Sequence, residues 1–532
     1  MKKLLFLTAG VGMTVLTCAQ STFHRVYKAN ISIRSNLSEM HGGNLLVGMS
    51  RNRGVSRLDT IGNIIETKSY TSTSISKIGT FEFYQPNKYV LSSGMLIDSC
   101  GTSQNVTFQP VLGFMDSTGN ISSMRSYTLA SGCNQAVGNL MVTGDGGVVA
   151  WNADNYGFFA FKVDSTLSPA WAKVFNRKGG VQFIKELAGG DLLAGFTMDT
   201  AGAVVARLDA NGNFLWCRSY MRPGGMIHDC LIESDSSFII TGFTDSTAAN
   251  NIFIPLPTDF HPELFMMKLN GTGDVQWCKG YDSAPYLWYT RQWSRIERTT
   301  DGNYVVLATM GLPGFNWYHR PCLMKTDPNG DTLWTRAYGA TDYNYYGRGL
   351  LVHSDGGCVV SGYVQGDLPD ANSGLPCLMK MDSLGHLACY EQYIPIQVFD
   401  LFPTDSSFTL TSVDGATMQV ASVTDTILPP IVVYDGCTFA TGLPPAALYR
   451  LQSKVKVYPN PTTGRITVQF TDPLTAESYY SVYDTMGRLL YQRPLPQGQQ
   501  TEEVDLSRFG QGTYVLKFTS PEGVCFERVV LE

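Results

Sequence analysis

The chain has 532 residues, of which 16% are charged, and its formal net charge at pH 7 is -6. This acidic balance argues against a nucleic-acid-binding protein, because such proteins need clustered Lys and Arg side chains to neutralise phosphates. With 53 glycines and 12% aromatic residues, the composition is typical of an extracytoplasmic protein built from short strands and turns.

The N-terminus has the pattern of an export signal. Two lysines precede the apolar run Leu4–Leu16, and Ala19 provides the small residue before a cleavage point. Residues 1–19 are therefore predicted to be a Sec signal peptide. A lipoprotein signal on Cys18 is the alternative, which Thr17 disfavours because a smaller residue normally stands there. No later stretch approaches the roughly 20 apolar residues that span a bilayer, so no transmembrane segment is predicted after signal cleavage.

Between the signal and residue 428 the sequence repeats with a period of roughly 45 to 60 residues. In one copy, the strand-like segments 189–196 and 203–209 are followed by 211–220, which contains a polar turn and ends on an aromatic residue. Each copy also has a preceding strand, and four short strands make one blade of a β-propeller. The sequence therefore predicts an all-β fold, with a β-propeller over residues 20–428.

The blade count rests on the aromatic residue that ends each unit. These closing residues predict eight blades: Tyr27, Tyr70, Tyr127, Phe175, Tyr220, Tyr281, Tyr338 and Tyr393. Seven blades is the alternative, because the units before Tyr127 and Phe175 are the least regular. A last unit after Tyr393 lacks a recognisable fourth strand. Residues 21–29 match the closing strand, so they are predicted to complete that blade and to seal the ring without free edges.

The hairpin before the closing strand resembles the tryptophan-docking repeat of quinoprotein-type propellers. In Asp209 to Trp216 it places an Asp, a Gly and a Trp at fixed spacing, and the same spacing recurs in Asp164 to Trp171, Asn270 to Trp277 and Asp327 to Trp334. The resemblance implies that the Asp and the Gly shape the turn and that the Trp packs between neighbouring blades. The Asp-to-Trp gap is one residue shorter than in that family, and Cys389 stands where a further Trp would be. The resemblance therefore supports the fold, and no cofactor is predicted.

The same hairpins contain the Asp and Asn residues of a calcium loop, but they predict no metal site. Calcium binds about six to eight oxygens, including a downstream carboxylate, whereas these hairpins run straight into an apolar strand. Turn chemistry accounts for the same residues, because Asp binds its own backbone and Gly accepts a positive φ.

Long connections concentrate on one face of the predicted ring. The first-to-second and third-to-fourth turns of the blades are short and share the other face. Aromatic rings beside polar groups are a platform for sugars or peptides. The predicted ligand-binding residues in these connections are Tyr286, Trp288, Tyr289, Trp317, Tyr318, His319, Tyr343, Tyr345 and Tyr346. The alternative is that the rings pack on each other and cover the blades.

An enzymatic function has less support. The sequence contains no nucleophile-elbow, zinc-protease or phosphate-loop motif, and its histidines are scattered singly. Glutamates recur near the ends of the innermost strands, and Glu233 and Glu297 are the weak catalytic candidates. Two converging carboxyl groups would suit a glycosidase or lyase. A solvated channel rim is the alternative.

Residues 454–532 contain three short motifs in a fixed order. They are Tyr458, Pro459, Asn460 and Pro461 before Gly464, then Asp484 with Gly487, then Gly512 with Tyr514. This segment closely resembles the type A C-terminal sorting domain of the type IX secretion system. The resemblance implies a small antiparallel β-sandwich that secretion machinery recognises at the outer membrane, and a mature protein that is often attached to surface lipopolysaccharide. An ordinary β-sandwich at the end of the chain is the alternative.

Residues 429–453 contain two Pro-Pro pairs and are predicted to be a linker. Together these patterns predict a secreted or outer-surface protein whose propeller is a binding or scaffold module for a glycan or protein ligand. The alternatives are a carbohydrate-active enzyme on the propeller and a purely structural surface protein.

Overall fold

A computed structural model describes most of the chain. The described residues are 22–28, 33–40, 43–49, 54–71, 75–97, 107–129, 137–152, 158–175, 179–198, 202–221, 225–244, 263–284, 286–288, 294–312, 318–340, 343–365, 374–387, 389–421, 424–427, 432–435, 455–474, 478–484, 489–520 and 523–532. Their regular secondary structure consists of 43 β-strands. The predicted signal peptide lies outside these residues. No helix among them is long and apolar enough to cross a bilayer.

The chain divides into two compact units, Met1–His24 with Ala29–Ile431 and Arg25–Lys28 with Val432–Glu532. The first unit contains antiparallel sheets in which consecutive strands pair, as expected for propeller blades. Blades 1 to 3 are formed by β2 (Ile33–Glu39), β3 (Leu45–Met49), β4 (Gly54–Leu58) and β5 (Ile64–Thr71); β6 (Ile75–Gln85), β7 (Lys88–Ile97), β8 (Thr107–Asp116) and β9 (Ile121–Leu129); and β10 (Asn139–Val142), β11 (Val148–Trp151), β12 (Phe158–Val163) and β13 (Pro169–Phe175).

The remaining blades follow in chain order. Blades 4 and 5 are formed by β14 (Gly179–Glu186), β15 (Leu192–Met198), β16 (Gly202–Leu208) and β17 (Phe214–Met221), and by β18 (Met226–Ser234), β19 (Ser237–Phe243), β20 (Leu264–Asn270) and β21 (Val275–Asp282). Blade 6 contains β22 (Leu287–Trp288), β23 (Arg295–Arg298), β24 (Tyr304–Leu312), β25 (Tyr318–Thr326) and β26 (Thr332–Tyr338). Blade 7 contains β27 (Asn344–Val352), β28 (Cys358–Gln365), β29 (Leu375–Met381) and the N-terminal strand β1 (Phe23–Lys28).

The blades form a closed ring. The innermost strands β2, β6, β10, β14, β18, β23 and β27 contact one another in this order, and β27 contacts β2. Among the described residues the ring has seven sheets, so the prediction of eight blades was wrong and its alternative agrees with the structure. The count failed because Tyr27 and Tyr393 were both taken as closing residues. Tyr27 lies in β1, which belongs to the sheet of blade 7. In the same strand, the ring centre of His24 lies 5.6 Å from that of Tyr345 in β27.

The segment after blade 7 passes the outer edges of the blades in the reverse of their chain order, from blade 6 back to blade 1 and then to β1 of blade 7. It forms β30 (Glu391–Tyr393), β31 (Gln397–Asp400), β32 (Thr404–Ser407), β33 (Ser412–Asp414), β34 (Ala416–Ala421), β35 (Thr424–Ile427) and β36 (Val432–Asp435), which we call the belt. These strands pair antiparallel with β26, β21, β17, β13, β9, β5 and β1, in that order. The belt thus adds one more strand to the outer edge of each sheet, a fifth strand in every blade except blade 6, where it is the sixth. The sequence did not predict it. The residues taken for an eighth unit belong to it.

The closing tyrosines join each blade to the next. Tyr220, Tyr281 and Tyr338 are fully buried, and their hydroxyls donate to main-chain carbonyls in the hairpin of the following blade. The oxygen-to-oxygen distances are 2.7 Å to Gly273, 2.8 Å to Gly330 and 2.7 Å to Gly385. Tyr70 and Tyr127 make the same contact with Gly119 and Leu167. A repeated buried hydrogen bond therefore sets the distance between most neighbouring blades.

The tryptophans pack on the hairpin glycine of the next blade, as the propeller resemblance implied. A Cβ atom at Gly212 would lie only 2.9 Å from the ring of Trp171, and the φ of Gly212 is +81°. Trp216, Trp277 and Trp334 approach Gly273, Gly330 and Gly385 in the same way. In the same hairpin as Gly212, the Oδ1 atom of Asp209 accepts the main-chain N–H groups of Asn211 and Asn213 at 2.9 and 2.8 Å, so turn formation accounts for this Asp.

The second unit contains two antiparallel sheets at the C-terminus. Their strands are β37 (Val455–Tyr458), β38 (Arg465–Phe470), β39 (Ser478–Asp484), β40 (Leu489–Leu495), β41 (Thr501–Asp505), β42 (Gly512–Ser520) and β43 (Gly523–Leu531). The strand orders are β37-β38-β41 and β40-β39-β42-β43. Alternate residues of β38 and β42, among them Val468 and Leu516, lie in one buried cluster between the sheets. This arrangement agrees with the predicted sandwich. Of the predicted linker, only β36 is described.

Replacing Gly212 by Ala tests the contact between blades. We expect a loss of about 2–4 kcal/mol in the free energy of unfolding, because Ala is strained at positive φ and its Cβ would collide with Trp171. Gly190 is the matched control, since its φ is +85° and no atom lies within 4 Å of its Cβ position. Gly190→Ala should cost only about 1 kcal/mol. Equal losses in urea unfolding of the two variants would contradict a tight Trp171 contact.

Candidate functional site

The innermost strands enclose a cavity of about 350 Å³ in the channel of the ring. Charged side chains from five blades line it: Glu39, Glu82, Lys185, Asp229, Arg295 and Glu297. Phe83 and Trp151 stand beside them. Most of these residues lie in the C-terminal halves of their strands, so the cavity lies nearer to the short first-to-second turns. Among the described residues, no group of three or more His, Cys, Asp or Glu side chains is arranged to hold a metal ion.

One ion pair crosses this cavity between blades 4 and 5. The Nζ atom of Lys185 lies 3.6 Å from Oδ1 of Asp229, whose other oxygen accepts the N–H of Ile296 at 3.3 Å. The nearby carboxylate of Asp229 raises the pKa of Lys185 above its ordinary value, although burial opposes the shift. Lys185 therefore carries its charge at neutral pH, and Asp229 balances it.

Glu82 and Glu297 differ from the other acids of the cavity. Glu39 accepts the N–H of Ser354 at 2.8 Å, but neither Glu82 nor Glu297 has a hydrogen bond or ion pair among the described residues. Desolvation inside the ring raises the pKa of each to about 7, and Lys185 only partly offsets this. Glu82 keeps an exposed surface. That surface lines the channel cavity, where the surrounding blades limit its contact with bulk water. Both carboxyl groups thus titrate near neutral pH.

The structure separates the two predicted catalytic candidates. Glu297 lines the cavity, whereas Glu233 does not. The carboxylate of Glu233 lies 2.6 Å from Nζ of Lys268 and also accepts hydrogen bonds from the hydroxyls of Ser237 and Tyr304. It holds blades 5 and 6 together. The carboxyl group that accompanies Glu297 in the channel is Glu82, which the sequence analysis missed. The only indication of Glu82 in the sequence is that this acidic residue stands between two phenylalanines of an innermost strand.

Several predicted ligand-binding aromatics are buried. Trp288, Tyr345 and Tyr346 are 3%, 0% and 8% exposed. The indole N–H of Trp288 donates to the carbonyl of Tyr281 at 2.7 Å, and Trp288 belongs to the core between blades 5 and 6. These rings pack in the way that the alternative interpretation describes. Tyr289 and Trp317 lie outside the described residues.

Other predicted aromatics remain partly accessible beside the long connections. Tyr286, Tyr318 and Tyr343 are half-buried. The hydroxyl of Tyr286 accepts a hydrogen bond from Gln392 at 3.1 Å. These side chains therefore keep surface that a bound molecule can reach.

Three rings form a stack between blades 6 and 7. His319 and Tyr346 lie 5.1 Å apart with a 28° angle between their planes, and Tyr346 and Tyr363 lie 4.7 Å apart at 21°. The guanidinium of Arg348 stands 5.4 Å from the centre of the Tyr363 ring. We call His319, Tyr346, Tyr363 and Arg348 the aromatic stack. Arg348 is exposed, and His319 and Tyr363 are half-buried, so the stack presents both ring surface and a positive charge.

In the C-terminal unit, the three predicted motifs are joined through the main chain. The side chain of Asn460 donates to the carbonyl of Arg528 at 2.5 Å and accepts the N–H of Val530 at 2.9 Å, so it fastens the first motif to β43. Asp484 pairs with Tyr514, whose hydroxyl donates to the carbonyl of Gly510 at 2.5 Å. The carbonyl of Gly464 accepts the N–H of Leu506, Gly512 pairs with β43, and Tyr458 is exposed. Gly487 lies outside the described residues.

The family of this segment follows from comparison with known proteins. Residues 456–532 match the family model described as the secretion system C-terminal sorting domain. This segment is a type IX secretion sorting domain. The sorting domain directs the protein to secretion, with attachment at the outer surface or release from it. The match also implies an interaction with the secretion machinery.

Comparisons over the rest of the chain give little. No curated protein matches the chain. A protein of unknown function from Bacteroides caccae is 13% identical over 48% of this chain and 93% of its own, with a TM-score of 0.22. The AfRom2 CNH domain is 10% identical over 68% of this chain and 99% of its own, with a TM-score of 0.33. These scores are too low to indicate a shared fold.

Glu297→Gln tests the raised pKa in the channel. The folded pKa near 7 exceeds the ordinary 4.5, so the folded state binds more protons between these values and its stability falls as pH rises through them. Glutamine cannot ionise. We expect the variant to be more stable than wild type by about 1–2 kcal/mol at pH 8 and equal to it near pH 4.5.

The measurement is thermal unfolding of the full chain at both pH values. Glu66→Gln is the control, because Glu66 lies outside the channel, 3.6 Å from Arg57. It should show no gain at pH 8. A Glu297→Gln variant that is less stable at pH 8 would mean that the carboxylate has a stabilising partner.

Proposed function

We propose that this protein is a recognition module for an extracellular glycan, exported by its sorting domain and binding through the aromatic stack of blades 6 and 7. The observation that carries the proposal is the accessible part of that stack, in which Arg348 stands over Tyr363. A purely structural surface protein has no need of a charged aromatic surface of this kind.

The position of the stack supports this role. His319 is near the start of β25, Tyr346 is near the start of β27, and Tyr363 is near the end of β28. Because neighbouring strands are antiparallel, all three lie toward the end of the blades at which β24 and β28 stop and β25 and β27 begin. Binding residues of rigid scaffolds are commonly found beside the connections between strands.

The chemistry of the stack suits sugars. An aromatic face covers the apolar C–H surface of a sugar ring, and a guanidinium donates several hydrogen bonds to hydroxyl or carboxylate oxygens. The half-buried Tyr286, Tyr318 and Tyr343 add hydroxyl groups nearby on the same face. Trp288 and Tyr345 are buried in the propeller and do not need to touch a ligand.

Binding is tested by screening the secreted protein on glycan and polysaccharide arrays while measuring released reducing ends. We expect binding without product, and a loss of at least about tenfold in affinity in Arg348→Gln and in Tyr363→Ala. Tyr393→Ala is the control, since Tyr393 is 65% exposed in the belt and should leave binding unchanged.

Unchanged affinity in both stack variants would overturn the proposed surface. Product release would favour the enzyme alternative and the channel carboxyl groups. Trp288→Ala distinguishes packing from binding, because its loss should lower the stability of the propeller by about 3–5 kcal/mol whatever the ligand.

Export is tested by deleting residues 454–532. Without the sorting domain we expect nearly all of the protein to remain in the periplasm, whereas the full chain should reach the outer surface or the medium. Fractionation with a periplasmic marker measures this and controls for leakage. Outer-surface display of the truncated chain would contradict a sorting role for the domain.

A further inference from the structure

We propose that the outer edge of β34, the belt strand of blade 2, is a contact surface for a second copy of this chain. In this contact, β34 of one copy pairs antiparallel with β34 of the other, about a two-fold axis at Gln419. The surface lies in blade 2 and shares no residue with the aromatic stack of blades 6 and 7. The proposal therefore goes beyond glycan recognition and does not depend on it.

The strand β34 is the last strand of its sheet. It pairs with β9 from Ala416 to Ala421, and no described strand pairs with its other edge. The main-chain N–H and C=O groups along such an edge are a template for a further strand. Proteins usually protect these edges by keeping the strand short or by placing charged residues on it.

The other belt strands have both kinds of protection. Each has only three or four residues and contains an acidic residue: Glu391 in β30, Asp400 in β31, Asp405 in β32, Asp414 in β33, Asp425 in β35 and Asp435 in β36. A second copy that approached one of these strands with the same strand would bring like charges near each other, which disfavours pairing.

Neither kind of protection is present in β34. With six residues it is the longest belt strand among the described residues, and it contains no charged residue. Two of its apolar side chains, Met418 and Val420, are 37% and 78% exposed. They lie on the same side of the strand, because they are two residues apart. The edge is therefore long, uncharged and partly apolar.

Val420 occupies a position that is acidic in other blades. It lies opposite Arg125 of β9. In blades 3 and 7, the residues in this position are Asp414 and Asp435, which form ion pairs of 3.0 and 2.9 Å with the closing strand. Arg125 instead donates to the carbonyl of Met124 at 2.9 Å. An exposed valine thus stands where these two blades have an ion pair.

A second copy suits this edge because the edge is complementary to itself. With Gln419 on the two-fold axis, Met418 of each copy lies opposite Val420 of the other, and the two Gln419 amides can bind each other. The apolar side chains cover one another, and no charges are opposed. An acidic strand would instead place its charge against Val420. Because each copy offers β34 once, pairing about a two-fold axis stops at the dimer.

The contact is small, so the dimer should be weak. A strand of six residues is only about 20 Å long, and one such pairing buries less than the roughly 1,200 Å² of a stable interface. We expect a dissociation constant of about 100 µM. Copies held side by side at the outer surface reach effective concentrations in the range of about 1 mM, at which this pairing would form.

Sedimentation equilibrium of the full chain from about 5 to 500 µM tests the proposal. Gln419→Lys and Gln419→Glu each place like charges on the two-fold axis, so each alone should weaken the dimer at least about tenfold. An equal mixture of the two variants should restore it, because opposite charges then meet. Val413→Lys is the matched control, since Val413 is 47% exposed in β33 and should leave association unchanged.

Thermal unfolding of each variant is measured alongside. Gln419 is exposed, so its substitution should leave the melting temperature nearly unchanged. A change in association therefore reports the contact and not the fold.

Cross-linking tests the position of the two-fold axis. In Gln419→Cys, the two Cα atoms on the axis lie about 4.5–5.5 Å apart, which permits a disulfide between copies on oxidation with oxidised glutathione. In Met418→Cys the two cysteines are diagonal neighbours about 7–8 Å apart, beyond the usual disulfide range. We expect Gln419→Cys to cross-link at least about fivefold faster than Met418→Cys. The wild-type chain measures any linkage through native cysteines.

Several results would each overturn the proposed contact. They are a chain that stays monomeric up to about 500 µM, association that continues beyond the dimer, association unchanged in both Gln419 variants, a mixture of these variants that stays monomeric, or equal cross-linking of the two cysteine variants. Failure on the glycan arrays bears only on the proposed function, because the belt variants do not change the aromatic stack.

Discussion

The ring depends on one contact that is repeated between blades, in which a buried tyrosine and a tryptophan of one closing strand bind the hairpin of the next blade. A four-stranded sheet cannot bury both of its faces alone, so each blade is stable only against its neighbours. The hydroxyl of Tyr281 donates a hydrogen bond to the carbonyl of Gly330, and the ring of Trp277 fills the space that a side chain at Gly330 would need. At the corresponding position of blade 3, Phe175 is buried without a hydroxyl group, and there the indole N–H of Trp171 donates to the carbonyl of Ala210 in the next hairpin at 3.1 Å.

The distance that these contacts set between blades also affects the carboxyl groups at the centre of the ring. Residues that are far apart in the chain, such as Glu82 and Glu297, reach the same cavity because their innermost strands are held at a fixed distance from the axis. The surrounding blades limit the hydration of these carboxyl groups, and this desolvation raises the pKa of both to about 7. The contacts that stabilise the ring thus also set the electrostatics of the channel.

Local patterns in the sequence predicted the features that are local in the fold. The propeller, the turn role of Asp209, the tryptophan packing and the sorting motifs each follow from residues within one unit. The blade count failed because Tyr27 and Tyr393 look alike in sequence, and only strand pairing shows which one lies in blade 7. The belt was missed because strands such as Thr404–Ser407 are polar and exposed, without the alternation that indicates a strand.

The candidate sites were less predictable for the same reason. Aromatic residues in long connections look equally suitable for binding, but the burial of Trp288 and Tyr345 depends on neighbouring blades. Glu82 lies in a strand with several register shifts, so its direction cannot be read from alternation. Its partner in the channel comes from four blades further along the chain. The two carboxyl groups come together only when the ring closes, so no single repeat of the sequence indicates it.

The belt also determines how the molecule would respond to force. When the chain is held by its C-terminal end at a cell surface and flow pulls on the ring, tension reaches the short belt pairings before it reaches the blades. The strands would peel one at a time, beginning with β36 and then β35, and the blades behind them would keep their own pairings. Complete peeling would release about 150 Å of extended chain. The belt would then act as an extensible tether that absorbs load while the folded ring stays intact.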